Sequence, residues 1–112
     1  MIQYTTPTFS FRFKDVQLAP GTQVWMTFQP WNKKNKVPTG EESTTFDDCT
    51  FVVEGNDTIV SLKLTQEQSA AFPLGCVRVM ANYMTPDADR DASNKVFVDI
   101  VENLLPEVKQ NV

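Results

Sequence analysis

Hydrophobic and polar residues alternate along much of this chain, which is the pattern expected of β-strands with one buried face. The clearest example is residues 8–14, in which every second residue is a phenylalanine: Phe9, Phe11 and Phe13. The same alternation predicts further strands at residues 23–29, 58–64, 76–83 and 95–101, and shorter ones at residues 44–46 and 50–53. We therefore expect about seven short strands.

One helical segment interrupts the strands. Thr65 followed by Gln68 fits a capping box, in which the two side chains satisfy free backbone amides at the start of a helix. Pro73 and Gly75 end the segment, so one short helical turn is expected near residues 65–72. The polar stretches at residues 30–44 and 85–94 are expected to be loops. The first of these loops is expected to contain at most a short strand near residues 36–37.

Many short strands, turn residues between them and a single helical turn predict an all-β fold. The expected architecture is an antiparallel β-sandwich of the immunoglobulin-like or Greek-key type. No internal repeat or long linker divides the chain, so residues 1–112 are expected to form one domain. With 112 residues and 41% apolar composition, such a domain has enough apolar side chains for a core without disulfides or metal.

The composition removes most familiar catalytic chemistry, because the chain contains no histidine. Ser-His-Asp and Cys-His catalysis and histidine metal sites are thereby excluded. An acidic run at residues 87–91 has the spacing of a calcium loop but lacks the glycine and glutamate that complete one. Four other carboxylates show no flanking apolar pocket that would make them an acid–base pair: Glu41, Glu42, Asp47 and Asp48. We expect no enzymatic activity, no cofactor and no bound metal.

Charge and hydropathy limit the partners. Ten basic and fourteen acidic residues give a net charge of -4, which argues against nucleic-acid binding. The apolar runs are far shorter than the roughly 20 residues of a membrane helix, and the N-terminal residues do not resemble a secretory signal. Synthesis in the cytoplasm is therefore expected, with Cys49 and Cys76 as reduced, half-buried thiols.

Three aromatic residues are left over once the strand faces are assigned. Trp25 falls on the strand face opposite Val24 and Met26, and Trp31 precedes a group of lysines. Phe97 falls on the strand face opposite the valines on either side of it. Exposed tryptophans are enriched at protein interfaces, and they also stack on sugars or bases. Burial beneath a loop explains them equally well, so interface, core and stacking roles stay open. These three residues form the candidate interaction surface.

Several short motifs run through nearly the whole chain and end in a downstream phenylalanine and two valine-rich strands: Thr5-Thr6-Pro7-Thr8, Gly55-Asn56, Leu62-Lys63-Leu64-Thr65-Gln66-Glu67, Phe72, Val77-Arg78-Val79 and residues 96–101. Together these motifs resemble a group of small phage and prophage proteins from Gram-positive bacteria. The group is similar to the N-terminal domain of phage baseplate upper proteins. That resemblance implies a β-sandwich that joins the tail baseplate, with no catalytic residue.

The function expected from these observations is that of a non-enzymatic structural or adaptor protein of a phage or prophage tail. Its expected partners are other tail or baseplate proteins and, as a further option, copies of itself; its final location would be the virion. The main alternative is a carbohydrate- or receptor-binding module that uses Trp25 or Trp31 as a stacking platform. A third option is a small inhibitor or regulator of a host protein.

Overall fold

The computed structural model describes residues 1–110. Within this range it contains nine β-strands and one short helix, so the all-β prediction is confirmed. The elements are β1 (Thr8–Phe13), β2 (Gln23–Asn32), β3 (Val37–Pro38), β4 (Thr44–Phe46), β5 (Thr50–Glu54), β6 (Asp57–Lys63), α1 (Gln66–Ala70), β7 (Gly75–Met84), β8 (Arg90–Ala92) and β9 (Val96–Ile100).

The strands form two antiparallel sheets that face each other. The smaller sheet has the order β1-β6-β5; the larger has the order β3-β2-β7-β8, with β4 also paired to β2 and β9 to β7. This is the strand order of an immunoglobulin-type sandwich, in which one sheet holds strands B, E and D and the other holds C′, C, F and G. The expected antiparallel β-sandwich is therefore the observed architecture.

The core lies between the sheets, where the alternating apolar residues meet. Phe28 of β2 is fully buried, and its ring packs edge-on against Phe9 of β1 with 5.3 Å between centroids. Phe13 of β1 meets Tyr83 of β7 in the same way at 5.1 Å. Edge-to-face aromatic pairs add about 0.5–1.5 kcal/mol beyond the area they bury. The predicted inward face of β1 is thus confirmed by contacts across the sandwich.

The helix α1 closes one end of this core. Thr65 accepts a hydrogen bond from the Gln68 amide, and the Gln68 side chain accepts one from the Thr65 amide, which completes the predicted capping box. Just beyond the helix, Phe72 is buried and its ring lies 5.0 Å from that of Phe28. A short helix that would be unstable alone is held by its cap and by this anchor.

Two segments predicted to be loops contain strand. The loop predicted from residue 30 begins later, because β2 continues through Pro30 and Trp31 to Asn32. Proline is accepted here because position 30 falls between the pairings of β2 with β4 and with β3, where no amide donor is needed. The second prediction, a loop over residues 85–94, is wrong at β8, which pairs with the end of β7.

Both cysteines are half-buried free thiols, as the sequence suggested. Cys76 lies on β7 with its side chain on the face away from the core, and Cys49 directly precedes β5. The disulfide that links strands B and F in antibody domains therefore has no counterpart here. Among the helices of residues 1–110, none is long and apolar enough to span a membrane.

Candidate interaction surface

The face of the larger sheet that points away from the core is the main candidate surface, and we call it the outer face. The side chains that β2 and β7 direct to this face are half-buried or exposed, and none of them is buried. Because paired residues share a face of a sheet, the register of β2 and β7 identifies its central members: Gln23, Trp25, Thr27, Gln29, Trp31, Cys76, Arg78, Met80, Asn82 and Met84. Arg78 is the single charged residue among them.

Two of the three predicted residues meet on the outer face. Phe97 of β9 pairs with Arg78 of β7, while Trp31 of β2 pairs with the adjacent Cys76. The rings of Trp31 and Phe97 lie 6.3 Å apart, centroid to centroid. Phe97 is 53% exposed, whereas Trp31 is half-buried. Trp31 and Phe97 therefore lie side by side on the outer face.

Arg78 packs on the Trp31 ring of this pair. Its guanidinium lies over the Trp31 ring, 3.8 Å from the centroid, and its Nε donates a hydrogen bond to Gln29 Oε1 at 2.6 Å. A guanidinium over a tryptophan face is attracted by the ring quadrupole. The cluster of Trp31, Arg78 and Phe97, which we call the aromatic cluster, is thus fixed before any partner binds.

A charged pair borders the aromatic cluster. Lys33 Nζ donates to Asp99 Oδ1 at 2.8 Å, and this hydrogen bond lowers the pKa of Asp99 and raises that of Lys33. A shallow depression of about 580 Å³ lies beside the pair, with the exposed Leu74 also on its wall. Charges at the rim around apolar residues at the centre are the usual arrangement of a protein interface.

Trp25 is on the outer face but not in the aromatic cluster. Six residues along β2 separate it from Trp31, which amounts to roughly 20 Å of strand. Trp25 is half-buried and lines a smaller depression together with Thr27, Asn82 and Arg90. The three predicted residues therefore share one face, in two separate places.

A second opening lies at the end of the sandwich, near α1. It is a groove of about 430 Å³ whose floor holds the rings of Phe28, Phe46 and Phe72 and whose rim holds Glu41 and Glu42. The sequence did not indicate any apolar pocket beside these two carboxylates, so this feature corrects that expectation. Both glutamates are exposed, as ordinary surface carboxylates are.

Sequence patterns indicated the tryptophans but not the residues that organise them. Arg78 and Gln29 become important only when β7 is placed beside β2 in the observed register. The alternation within residues 76–83 did place Arg78 on the outward face, and that was the one available signal. Within residues 1–110, there is no cluster of three or more acidic or cysteine side chains suited to hold a metal.

Comparison with known proteins adds no relative. No protein-family model matches the chain, and no significant match was found among the curated proteins or the solved structures.

Proposed function

We propose that this protein acts by protein–protein assembly, as a non-enzymatic structural or adaptor component of a phage or prophage tail. The outer face of its larger sheet, centred on the aromatic cluster, would be the surface that another tail or baseplate protein covers. The observation that carries this proposal is an uncovered sheet face on which Trp31, Arg78 and Phe97 are already in contact.

The composition of the outer face supports an interface. Protein interfaces are enriched in aromatic residues, methionine and arginine and depleted in lysine, glutamate and aspartate. The outward positions of β2 and β7 include two tryptophans, two methionines and one arginine, and no acidic residue or lysine. A solvated sheet face would instead be expected to carry alternating polar and charged side chains.

The exposed area also supports a bound partner. A folded monomer of 12.7 kDa is expected to expose about 6,200 Å², whereas this chain exposes 7219 Å². Part of the excess lies on the C-terminal segment, where Leu104 is 94% exposed. The excess of about 1,000 Å² is of the same order as the roughly 800 Å² that one partner contributes to an interface of standard size.

The assignment to a phage tail rests on the sequence resemblance described above. The fold agrees with what that resemblance implies, although a sandwich fold serves many functions. The structural support therefore bears on the mode of action, which is docking through a preformed face, and the resemblance supplies the identity of the partners.

The alternative, a carbohydrate- or receptor-binding module, has weaker support. A sugar stacks on an open aromatic face, but one face of Trp31 is occupied by Arg78 at 3.8 Å. Titration with cell-wall polysaccharide, followed by tryptophan fluorescence, separates the two proposals. A saturable shift that is lost in Trp31→Ala would favour sugar binding over assembly.

The direct test is to recover phage particles from the host that carries the gene and to look for this chain in them by mass spectrometry. We expect a fixed number of copies in each purified particle. Absence of the chain from intact particles, under conditions in which the host expresses it, would contradict the proposal.

A further inference from the structure

The free edges of the two sheets differ in how they are protected. Exposed edge strands normally carry a charge, a proline or a very short length, because an open edge invites another strand to pair with it. Most edges here have such a device: Arg12 in β1, Pro38 in β3, the short length of three residues in β4, Arg90 with Asp91 in β8, and Asp99 in β9.

β5 is the least protected of these edges, because its one charge is Glu54 at its last residue. Residues 50–53, Thr-Phe-Val-Val, contain no charge, proline or glycine. This strand is the last of the smaller sheet and pairs on one side only, with β6. Its valines are open to solvent, with Val52 64% and Val53 42% exposed. A β-branched, uncharged edge of this kind is a template for strand addition.

The register shows which backbone groups point toward the free edge. Glu54 pairs with Asp57 across a two-residue turn, and such a closing pair exchanges both of its hydrogen bonds. Alternate residues of β5 therefore bond to β6, which leaves the amide and carbonyl groups of Phe51 and Val53 directed away from it. The bond from the Leu64 amide to the Pro7 carbonyl fits this alternation, since it assigns the even-numbered residues of β6 to β1.

We propose that β5 pairs antiparallel with β5 of a second copy of this chain, about a two-fold axis through Val52. In this register Phe51 lies opposite Val53 of the second copy, and Val53 lies opposite Phe51 of the second copy. Both members of each pair direct their backbone groups at the other, so the two strands exchange four hydrogen bonds. The two three-stranded sheets then become one continuous six-stranded sheet.

A second copy of the chain is the favoured partner for this edge, because the side chains of two antiparallel β5 strands match each other. The pairing joins an aromatic residue to a β-branched one twice on the core side, which is a stabilising cross-strand combination. Val52 meets Val52 of the second copy on the other side. Thr50 lies opposite Glu54 of the second copy, so no like charges are paired. The next antiparallel registers are reached by sliding one copy two residues in either direction. Each of them aligns only one pair of outward-facing residues within the strand.

Charges near the ends of β5 set the salt dependence of this pairing. Asp47 and Asp48 precede the strand, whereas Glu54 at its other end is paired with Arg12 at 3.2 Å. In this register Asp47 and Asp48 of each copy lie beside the turn of the other copy that holds Glu54 and Asp57, and salt screens the repulsion between these carboxylates. Association through β5 is therefore expected to strengthen as ionic strength rises, whereas an interface held by ion pairs would weaken.

The test is sedimentation equilibrium of the purified chain from micromolar to millimolar concentration, combined with variants at β5. Val53→Pro removes an outward amide that β6 does not use, and it is expected to weaken dimerisation at least about tenfold. Val53→Ala is its matched control, because it keeps the amide while shortening the side chain. Val52→Lys is a second disrupting variant at an exposed position, which guards against misfolding of the proline variant.

Amide hydrogen exchange gives an independent readout. The Phe51 and Val53 amides are expected to exchange fast in dilute solution and to become protected at concentrations where the dimer forms. A chain that stays monomeric at millimolar concentration, or a dimer that both Val53→Pro and Val52→Lys leave intact, would overturn the proposal. A dimer disrupted by Phe97→Ser but not by the β5 variants would also overturn it, since self-association would then belong to the outer face. The outcome is independent of whether the outer face binds a tail protein.

Discussion

At the residue scale, Thr58 is a polar side chain on the core face of β6. The sequence pattern places it in register with Val60 and Leu62, and the structure buries it completely. Its hydroxyl donates to the Val16 carbonyl at 2.7 Å and accepts from the Leu18 amide at 3.1 Å. The hydroxyl thereby satisfies two backbone groups of the connection between β1 and β2, which is what makes a buried threonine acceptable.

Replacing this hydroxyl tests that role. Thr58→Val keeps the shape but leaves a buried carbonyl and a buried amide without their partner, so we expect a loss of about 1–3 kcal/mol in the free energy of unfolding. Chemical denaturation measures it. Thr58→Ser, which keeps the hydroxyl, is the control and should retain more stability than the valine variant. Wild-type stability in Thr58→Val would show that these hydrogen bonds contribute little.

The two thiols differ in environment, which leads to a second prediction at this scale. Burial, together with Asp48 and Asp47, raises the pKa of Cys49 to about 11. Because the thiolate is the reactive form, alkylation of Cys49 should be slow near neutral pH and should accelerate with each pH unit up to about 11. Iodoacetamide kinetics on the Cys76→Ser variant, in which Cys49 is the single thiol, give the profile. A rate that levels off near the ordinary cysteine pKa of about 8.5 would contradict it.

At the scale of elements, one carboxylate ties two turns together. Asp57, at the start of β6, accepts hydrogen bonds from the Asp15 amide and from Arg12 Nη1, both at 2.9 Å. These contacts lower the pKa of Asp57, the amide contributing most. The turn after β1 is thereby fastened to the turn between β5 and β6.

The pH dependence follows from the direction of this shift. A carboxylate whose pKa is lower in the folded state stabilises the fold above its unfolded pKa of about 3.9. That contribution is lost as the pH falls through the lower folded value. We expect the melting temperature of the wild type to decline below about pH 4, and to decline less steeply in Asp57→Asn. Thermal unfolding across acidic pH measures both, with Asp47→Asn on an exposed loop as the control. Identical acid profiles for Asp57→Asn and the wild type would contradict the assignment.

Alternation predicted the strands well because it depends on which residues face the core, and that constraint is local. Alternation failed where pairing with a distant strand determines whether a segment becomes a strand. Pro30 marked a loop in the sequence, yet its position at a gap between β4 and β3 removes the need for its missing amide. β8 is exposed at every residue and forms because β7 offers it a free edge. Neither feature has a signal in the sequence alone.

At the scale of the whole molecule, the candidate surface could be predicted only in part. Trp25 and Phe97 were identified from strand alternation and Trp31 from its place before a group of lysines, but their grouping depends on how β2, β7 and β9 are aligned. That alignment brings Phe97 and Trp31 together around Arg78, and it leaves Trp25 apart. The register is set by packing between distant segments, which no local pattern records.

The outer face and the free edge of β5 are two separate surfaces of the molecule. One is an aromatic face on the larger sheet, and the other is the least protected edge strand, β5, of the smaller sheet. Use of both would let one small domain bind a tail protein and a second copy of itself at the same time.

The most direct measurement is the amount of this chain in purified phage particles when the outer face is altered. Phe97→Ser removes an exposed ring from the aromatic cluster, and Val96→Ser, its neighbour in β9 with a similar exposure of 48%, is the matched control on the opposite face. We expect the wild type and Val96→Ser to be incorporated at the same level and Phe97→Ser to fall at least about tenfold, with all three folded by circular dichroism. Incorporation of Phe97→Ser at the wild-type level, or absence of the wild type from the particles, would contradict assembly through this face.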